Sequence, residues 1–205
     1  MRHSLFRFIG MFFMALVVSC RVSAQSWDFV KEKDGIKIYT CKDAGNSLKS
    51  YKGVTDIHAP AEKVFSMIED VNHTEWWDKS VSRIKVLHYE KYKLAQYYMI
   101  YDLPWPVTDR DLYVNVVSTF DPVTGEGQVK ATPLKGNYPT SHNMVSMKDY
   151  RQTWTIKSAG QTLCHVTLEG FVDPGGSIPD WICNMVIVDS PIKAITELKL
   201  GLEKK

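Results

Sequence analysis

The alternation of hydrophobic and polar positions along the chain predicts a series of β-strands. The predicted strands span residues 36–40, 48–57, 81–89, 94–101, 112–120, 128–132, 150–157 and 163–172. Short turns join several of them, as at residues 121–127 and at Ser158-Ala159-Gly160. Because short turns connect antiparallel neighbours, this pattern predicts an antiparallel sheet.

Helical periodicity marks two further segments. Pro60 suits a first helical turn, and the helix that it opens has an apolar face of Val64, Phe65, Ile68 and Val71. The C-terminal segment follows residues 173–176, Asp-Pro-Gly-Gly, which end the last strand and reverse the chain. Its predicted N-cap is Ser177, and its predicted apolar face is Ile178, Ile182, Met185, Val188, Ile192 and Ile195. Residues 27–31 are predicted to form a short helix.

Side-chain parity indicates which face of the sheet is inside. Inward positions in two strands are apolar and alternate with polar or aromatic neighbours; they are Leu112, Val114, Val116, Val166, Leu168 and Val172. A long terminal helix with an apolar face needs a large apolar surface to cover. We therefore expect an α+β domain in which these positions face the terminal helix.

The first 24 residues have the pattern of an export signal. Arg2 and Arg7 precede an apolar run, 8–18, that is too short to span a bilayer. Val22-Ser23-Ala24 matches a small-residue cleavage site, whereas Val17-Val18-Ser19-Cys20 resembles a bacterial lipobox that would place a lipid on Cys20. Cleavage after Ala24, a lipoprotein signal ending before Cys20 and an uncleaved anchor are alternatives. We expect residues 25–205 to be one exported domain, periplasmic or membrane-anchored through Cys20.

The composition of residues 25–205 argues against some classes of function. Removing residues 1–24 takes away three of the 25 basic residues and none of the 23 acidic ones, which leaves 22 against 23. Without a dense basic stripe, nucleic acid is not an expected partner. No HExxH, GxSxG or Gly-rich phosphate-binding motif is present, so no metal or cofactor is expected. Of Cys41, Cys164 and Cys183, at least one is unpaired within the chain, and a Cys164–Cys183 disulfide is one option.

Four segments in chain order carry a family resemblance. They are residues 34–39 (DGIKIY), 75–81 (EWWDKSV), 103–111 (LPWPVTDRD) and 173–181 (DPGGSIPDW). Through them, residues 27–203 resemble a START domain, the steroidogenic-acute-regulatory-related lipid-transfer family. The resemblance implies a helix-grip fold, in which a curved antiparallel sheet wraps around the terminal helix and encloses a tunnel for one lipid. It also implies binding of sterols, phospholipids or sphingolipids, and their movement between membranes without a cofactor.

One pair of positions departs from the sterol-binding members of that family. Those members carry an acid and an arginine inside the cavity, and counting from Arg110 without gaps places Tyr97 and Val116 at the matching positions. A Tyr hydroxyl can hydrogen-bond a polar head group, but it cannot neutralise a charge. We therefore expect a largely apolar ligand that has one polar group.

The expected ligand contacts lie on inward strand positions and on the terminal helix. They are Tyr97, Met99, Tyr101, Arg110, Val114, Val116, Trp154, Leu168, Ile182, Met185, Asp189 and Ile192. Arg110 is either a head-group contact or a buried structural arginine. Asp189 is either an inward polar anchor or, if Pro191 kinks the helix, a solvated residue. Trp76, Trp77 and Trp105 either line the tunnel mouth or pack in the core.

Three functions from different classes fit these patterns. The first is a non-catalytic, monomeric protein that binds and transfers a lipid and contacts membranes transiently. The alternative is an enzyme similar to the polyketide cyclases and dehydratases, which share the helix-grip fold and would need an inward His, Asp or Glu. The third is a scaffold whose cavity is filled by side chains.

Overall fold

The computed structural model describes residues 26–42, 45–77, 80–103, 105–140 and 143–203, so the predicted export signal lies outside the described residues. In chain order the elements are β1 (Asp28–Lys33), β2 (Ile36–Lys42), β3 (Lys49–Ile57), α1 (Ala61–Glu69), β4 (Val81–Glu90), β5 (Leu94–Tyr101), β6 (Arg110–Asp121), β7 (Glu126–Pro133), β8 (Val145–Ser146), β9 (Asp149–Ser158), β10 (Cys164–Asp173) and α2 (Asp180–Glu203).

The strands form one curved sheet with the order β1-β2-β3-β10-β9-β7-β6-β5-β4, in which each neighbouring pair is antiparallel. The two-residue β8 pairs with β6 in parallel. Two helices cover the inner face: α2 packs mainly on β2 and β3, and α1 packs on β6, β7 and β9. The predicted α+β helix-grip fold is confirmed.

The predicted parity of the sheet is confirmed at its centre. Val166 and Leu168 in β10 are fully buried, and so is Val114 in β6. These residues belong to one hydrophobic cluster that also includes residues from both helices. Polar neighbours point outward, as His165 does, whose ring Nδ1 lies 2.5 Å from Asp56 Oδ1 on the exposed face. Alternation along the strands therefore defines the inside of the domain.

The first strand corrects a prediction. Residues 27–31 were predicted to be helical, but Asp28–Lys33 is the edge strand β1, paired with β2. All of its residues are exposed except the half-buried Lys31. An exposed edge strand has no buried face to impose alternation, so pairing with β2 rather than its own pattern determines its structure.

The entry into α2 needs two glycines. Gly175 and Gly176 have φ angles of 64° and 71°, in the left-handed region, as the predicted reversal requires. A Cβ at Gly176 would also lie 3.0 Å from Arg110 Nη2. The helix itself begins at Asp180, where Ile182 and Cys183 donate to the Pro179 carbonyl, so the prediction of Ser177 as N-cap is wrong.

The buried face of α2 also differs from the predicted one. It consists of Cys183, Ile187, Pro191, Ile192, Ile195, Leu198 and Leu202. Met185 was predicted to face inward and is 60% exposed. The first half of the helix is apolar on several sides, so periodicity does not distinguish its inner face there. Among the described residues, neither helix has the length and hydrophobicity to cross a bilayer.

The three described cysteines are buried and free, so the Cys164–Cys183 disulfide is not formed. Cys164 Sγ lies 3.8 Å from the Ile57 carbonyl oxygen, whereas Cys183 belongs to a separate small cluster with Leu48 and Phe171. Burial raises the pKa of the Cys164 thiol to about 11, so this thiol stays protonated at neutral pH.

Candidate functional site

A cavity lies where α1, the irregular segment after it and the second half of α2 meet the inner side of the sheet. Its volume is about 100 Å³, which is less than the roughly 300–1,000 Å³ of ordinary ligand pockets. The lining residues are Ile68, Glu69, Val71, Trp76, Trp77, Val81, Tyr97, Met99, Tyr101, Val116, Val129, Ala131, Tyr150, Gln152, Trp154 and Ala194. The wall is therefore aromatic and apolar with a few polar groups.

Five of the predicted ligand contacts lie on this wall; they are Tyr97, Met99, Tyr101, Val116 and Trp154. Three come from β5, whose inward positions alternate with outward ones such as Tyr98. Val116 lies on β6 and Trp154 on β9, both strands of the same half of the sheet. Strand parity therefore brings these five side chains together.

The other seven predicted contacts lie elsewhere. Val114, Leu168 and Ile192 are buried in the packed core and do not border the cavity. Ile182 is half-buried near the start of α2, while Met185 is exposed. Asp189 is also exposed, and its Oδ1 lies 2.7 Å from Lys31 Nζ on β1, so the inward-anchor interpretation is wrong. The first half of α2 therefore contributes nothing to the described cavity wall.

Arg110 is a structural arginine rather than a cavity residue. It is 2% exposed, and its guanidinium donates to the carbonyl oxygens of Pro174 and Gly175, each at 3.1 Å, and of Thr108. The lowered pKa of Arg110 results mainly from its burial, yet the group stays charged at neutral pH. We call this set of contacts the Arg110 clasp. It ties the β5–β6 loop to the segment that leads into α2.

Two indole N–H groups on the cavity wall lack a partner. Nε1 of Trp76 and Nε1 of Trp77 are buried and donate no hydrogen bond to any of the described residues. The two rings meet edge to face, and Trp77 also lies edge-on to Tyr97, at 5.6 Å between centroids. A buried N–H without an acceptor costs about 1–3 kcal/mol. The site therefore holds donors suited to an incoming acceptor atom.

Three other polar side chains on the wall already have hydrogen-bond partners: Trp154, Gln152 and Tyr150. Trp154 Nε1 donates to Gln152 Oε1 at 3.3 Å, and Gln152 Nε2 donates to Tyr51 Oη at 3.3 Å. Tyr150 is hydrogen-bonded to Tyr101. Burial raises the pKa values of Tyr97 and Tyr150 well above the ordinary range of a phenol, so both hydroxyls stay neutral.

Glu69 supplies a carboxyl group to the same wall. It is the last residue of α1 and is 2% exposed. Its oxygens accept the Tyr89 hydroxyl at 3.0 Å and the Tyr92 backbone N–H at 3.1 Å. Burial is the largest influence on this carboxyl and raises its pKa, despite the two hydrogen bonds that lower it. Among the described lining residues, no Lys or Arg balances its charge.

Several wall residues were not among the predicted contacts, although the sequence carries signals for some. Tyr150 and Gln152 share the strand parity of Trp154 on β9, so alternation alone would have found them. Glu69 lies four residues after Phe65, on the apolar side of α1, which is a helical signal for burial. The cavity contacts of Trp76 and Trp77 come from an irregular segment, for which no periodicity exists.

Two further depressions, of about 450 and 280 Å³, lie outside this cavity and are lined mostly by exposed or half-buried residues. One runs between α1 and the end of α2, and the other lies beside Gly175 and Cys183. Within the described ranges, no group of three or more His, Cys, Asp or Glu side chains is placed to hold a metal ion.

Several known proteins are similar to this chain in sequence or in structure. An uncharacterised protein of Pseudomonas aeruginosa is 32% identical over 186 residues, which is 89% of each chain. The bovine phosphatidylcholine transfer protein is 27% identical over 173 residues, 80% of this chain and 78% of that one. A solved structure of a StAR-related lipid transfer protein from Xanthomonas axonopodis superposes with a TM-score of 0.77 at 25% identity.

The match to the Xanthomonas axonopodis structure covers 86% of this chain and 98% of that one. The chain belongs to the START family. No family model matches it. Human STARD10, at 20% identity and the same TM-score of 0.77, shares the fold. The cavity described above lies between the sheet and the two helices. We therefore take the wall of this cavity as the candidate binding site.

Proposed function

We propose that this START domain binds one lipid molecule between its helices and sheet and transfers it between membranes. The observation that carries the proposal is the pair of buried, unpartnered indole N–H groups of Trp76 and Trp77 on an otherwise apolar and aromatic wall. Relatives named phosphatidylcholine transfer protein support lipid transfer as the function. Burial of the ligand's apolar surface supplies affinity, at roughly 25 cal/mol per Å².

The wall favours a neutral or zwitterionic lipid. No Lys or Arg is among the described lining residues, and Glu69 would repel an anionic head group. Ester, hydroxyl or phosphoryl oxygens can accept from the two indoles. The aromatic faces around the cavity attract a quaternary ammonium, so a choline head group fits the same wall.

Ligand entry requires movement, because a volume of about 100 Å³ cannot hold a whole lipid. We propose that the first half of α2 and the β5–β6 loop move away from the sheet while the second half of α2 stays packed. The half-buried Trp76 and Trp77 then swing apart to make room. Binding takes place without catalysis, because the wall's carboxyl group, Glu69, already accepts two hydrogen bonds that tie α1 to the β4–β5 hairpin.

The decisive experiment pairs mass spectrometry of organic extracts from the purified protein with a fluorescent-lipid transfer assay. We expect a co-purifying neutral or zwitterionic lipid. Trp76→Phe and Trp77→Phe keep the rings and remove the N–H groups, so each should weaken lipid binding about three- to tenfold. Trp27→Phe, at a half-buried ring outside the cavity and the moving loop, is the matched control and should bind as wild type does. Absence of any co-purified lipid, together with no binding of the probe, would contradict the proposal.

We further propose that residues 1–24 direct export and are removed, which places the domain in the periplasm or, through Cys20, on a membrane. Intact mass of the protein from its native host distinguishes the alternatives. A chain beginning at Gln25 indicates cleavage after Ala24, and a lipid-modified Cys20 indicates a lipoprotein. An unprocessed Met1 in a membrane fraction would indicate an uncleaved anchor instead.

A further inference from the structure

Glu69 is a buried carboxyl group whose charge no described residue of the cavity wall balances. It is 2% exposed, and the described lining residues include no Lys or Arg. Lys91 attracts it only from outside, since this side chain is exposed and its ammonium lies over the Tyr92 ring, 4.9 Å from the centroid. Burial raises the pKa of Glu69, and so does the neighbouring Asp70. A buried carboxylate without a counter-charge is costly, so a cationic ligand group would be stabilised here.

Two hydrogen bonds orient the Glu69 carboxyl group and leave part of its acceptor capacity free. One oxygen accepts from the Tyr89 hydroxyl and the other from the Tyr92 backbone N–H. Tyr92 is itself held in place, because its hydroxyl lies 2.5 Å from Ser66 Oγ and its ring packs edge to face on Phe65. An ionised carboxyl group has about four acceptor positions, so about two remain for a ligand.

The polar groups of the cavity wall distinguish between two kinds of zwitterionic head group. Trp76 and Trp77 present unpartnered N–H donors that suit phosphoryl or ester oxygens, and Glu69 presents acceptor positions. A primary ammonium has three N–H donors, whereas a quaternary ammonium has none and cannot donate to a carboxylate. The primary ammonium also lacks three methyl groups, which favours it in a cavity of only about 100 Å³.

We propose that Glu69 selects lipids whose head group carries a primary ammonium, such as phosphatidylethanolamine, over choline lipids with the same acyl chains. The inference rests on the proposed function and deepens it, since it names the lipid class that the same cavity prefers. The ammonium donates to the free acceptor positions of Glu69, and such charge-assisted hydrogen bonds are stronger than neutral ones. A choline head group still contacts the aromatic faces, but it leaves the carboxylate without a hydrogen-bond donor.

The first test measures how tightly wild type binds phospholipids that share one pyrene-labelled acyl chain and differ only in the head group. Phosphatidylethanolamine should bind about tenfold more tightly than phosphatidylcholine, because only its ammonium donates to the buried carboxylate. The N-methyl and N,N-dimethyl forms lose N–H donors one at a time and should bind with intermediate affinities in that order. Equal affinity across the series would overturn the inference, and this result requires no variant to fold.

The second test assigns the preference to Glu69. Glu69→Gln removes the charge and nearly keeps the size, so the preference for phosphatidylethanolamine should fall below about twofold. Glu62→Gln makes the same chemical change at an exposed position of α1 outside the cavity, and it should keep the preference of wild type. The ratio of the two affinities is the readout, since loosened packing weakens both lipids alike. A preference that survives Glu69→Gln would contradict the assignment.

The same measurements separate this inference from the proposed function. If wild type binds none of the labelled lipids, the proposed function is wrong and the inference fails with it. If wild type binds every head group equally, lipid binding stands and the inference alone is wrong. Tighter binding of diacylglycerol with the same acyl chains would also overturn the inference, because that lipid has hydroxyl chemistry and no cation.

Discussion

The two halves of α2 differ in how they are held. From Pro191 onward the helix buries Ile192, Ile195, Leu198 and Leu202 against the sheet and α1. The preceding half buries Cys183 and Ile187 and exposes Trp181, Met185 and Val186. One continuous helix therefore combines an anchored half with a weakly held half, and we place the opening of the domain in the latter.

Several contacts of the first half are polar and near the surface. Asn184 accepts the Lys49 backbone N–H at 2.8 Å and donates to the Ser47 carbonyl at 3.0 Å. The Lys31–Asp189 ion pair is exposed on both sides, so it contributes about 1 kcal/mol at most. Pro191 lacks an N–H and cannot donate to the preceding turn. The helix ladder is thus interrupted where the two halves meet, which permits one half to move without the other.

The sharpest contrast in stability should be between Leu198 and Met185. Leu198→Ala removes a fully buried side chain from the anchored half and should lower the free energy of unfolding by about 3 kcal/mol. Met185→Ala removes an exposed side chain and should change it by no more than about 0.5 kcal/mol. Urea denaturation measures both. Equal losses of unfolding free energy for the two variants would contradict the difference between the two halves of α2.

Close packing of the anchored half on β3 can be tested at Gly53. A Cβ at this position would lie 2.8 Å from Ile195 Cδ1 and 3.1 Å from Pro191 Cβ. Gly53→Ala should therefore destabilise the domain by about 1–3 kcal/mol. Ile195→Val removes the nearer methyl group, so the double variant should recover part of that loss relative to the sum of the single changes. Strict additivity in thermal or urea unfolding would argue against this contact.

A smaller effect concerns Glu69, on the cavity wall that α1 shares with Ala194 of the anchored half. Burial raises the pKa of this carboxyl, so the folded state favours its protonated form. The stability that it contributes is present at low pH and is lost as pH rises from the ordinary carboxyl pKa through the raised one. The melting temperature of wild type should therefore fall relative to that of Glu69→Gln as the pH rises above the ordinary carboxyl pKa of 4.5. A difference that stays constant with pH would contradict the burial effect.

Much of the fold is predictable because apolar and polar residues alternate along a strand whose one face is buried. The parity of Leu112, Val114 and Val116 places one face of β6 inside, and the Gly175–Gly176 reversal positions the terminal helix. The edge strand β1 was not predictable from its pattern, since pairing with β2 rather than burial fixes its structure. The partner of Asp189 is Lys31, 158 residues away, and no local pattern connects them.

The cavity wall was only partly predictable for a related reason. Alternation identifies both Tyr97 and Leu168 as inward positions. Tyr97 borders the cavity, however, whereas Leu168 is packed in the core. Which inward residues border open space depends on where the two helices lie over the sheet. That placement follows from side-chain volumes on several strands, as at Gly53 under Ile195, rather than from any single segment.

Hydrogen exchange of the backbone amides along α2 tests the central claim most directly, because it reports on both halves in one experiment. The account predicts that amides of residues 184–190 exchange at least about a hundredfold faster than those of residues 195–202, through local opening that leaves the anchored half protected. It further predicts that zwitterionic vesicles accelerate exchange in the first half alone. Uniform protection along the whole helix, with or without vesicles, would contradict the division of α2 into an anchored half and a detachable half.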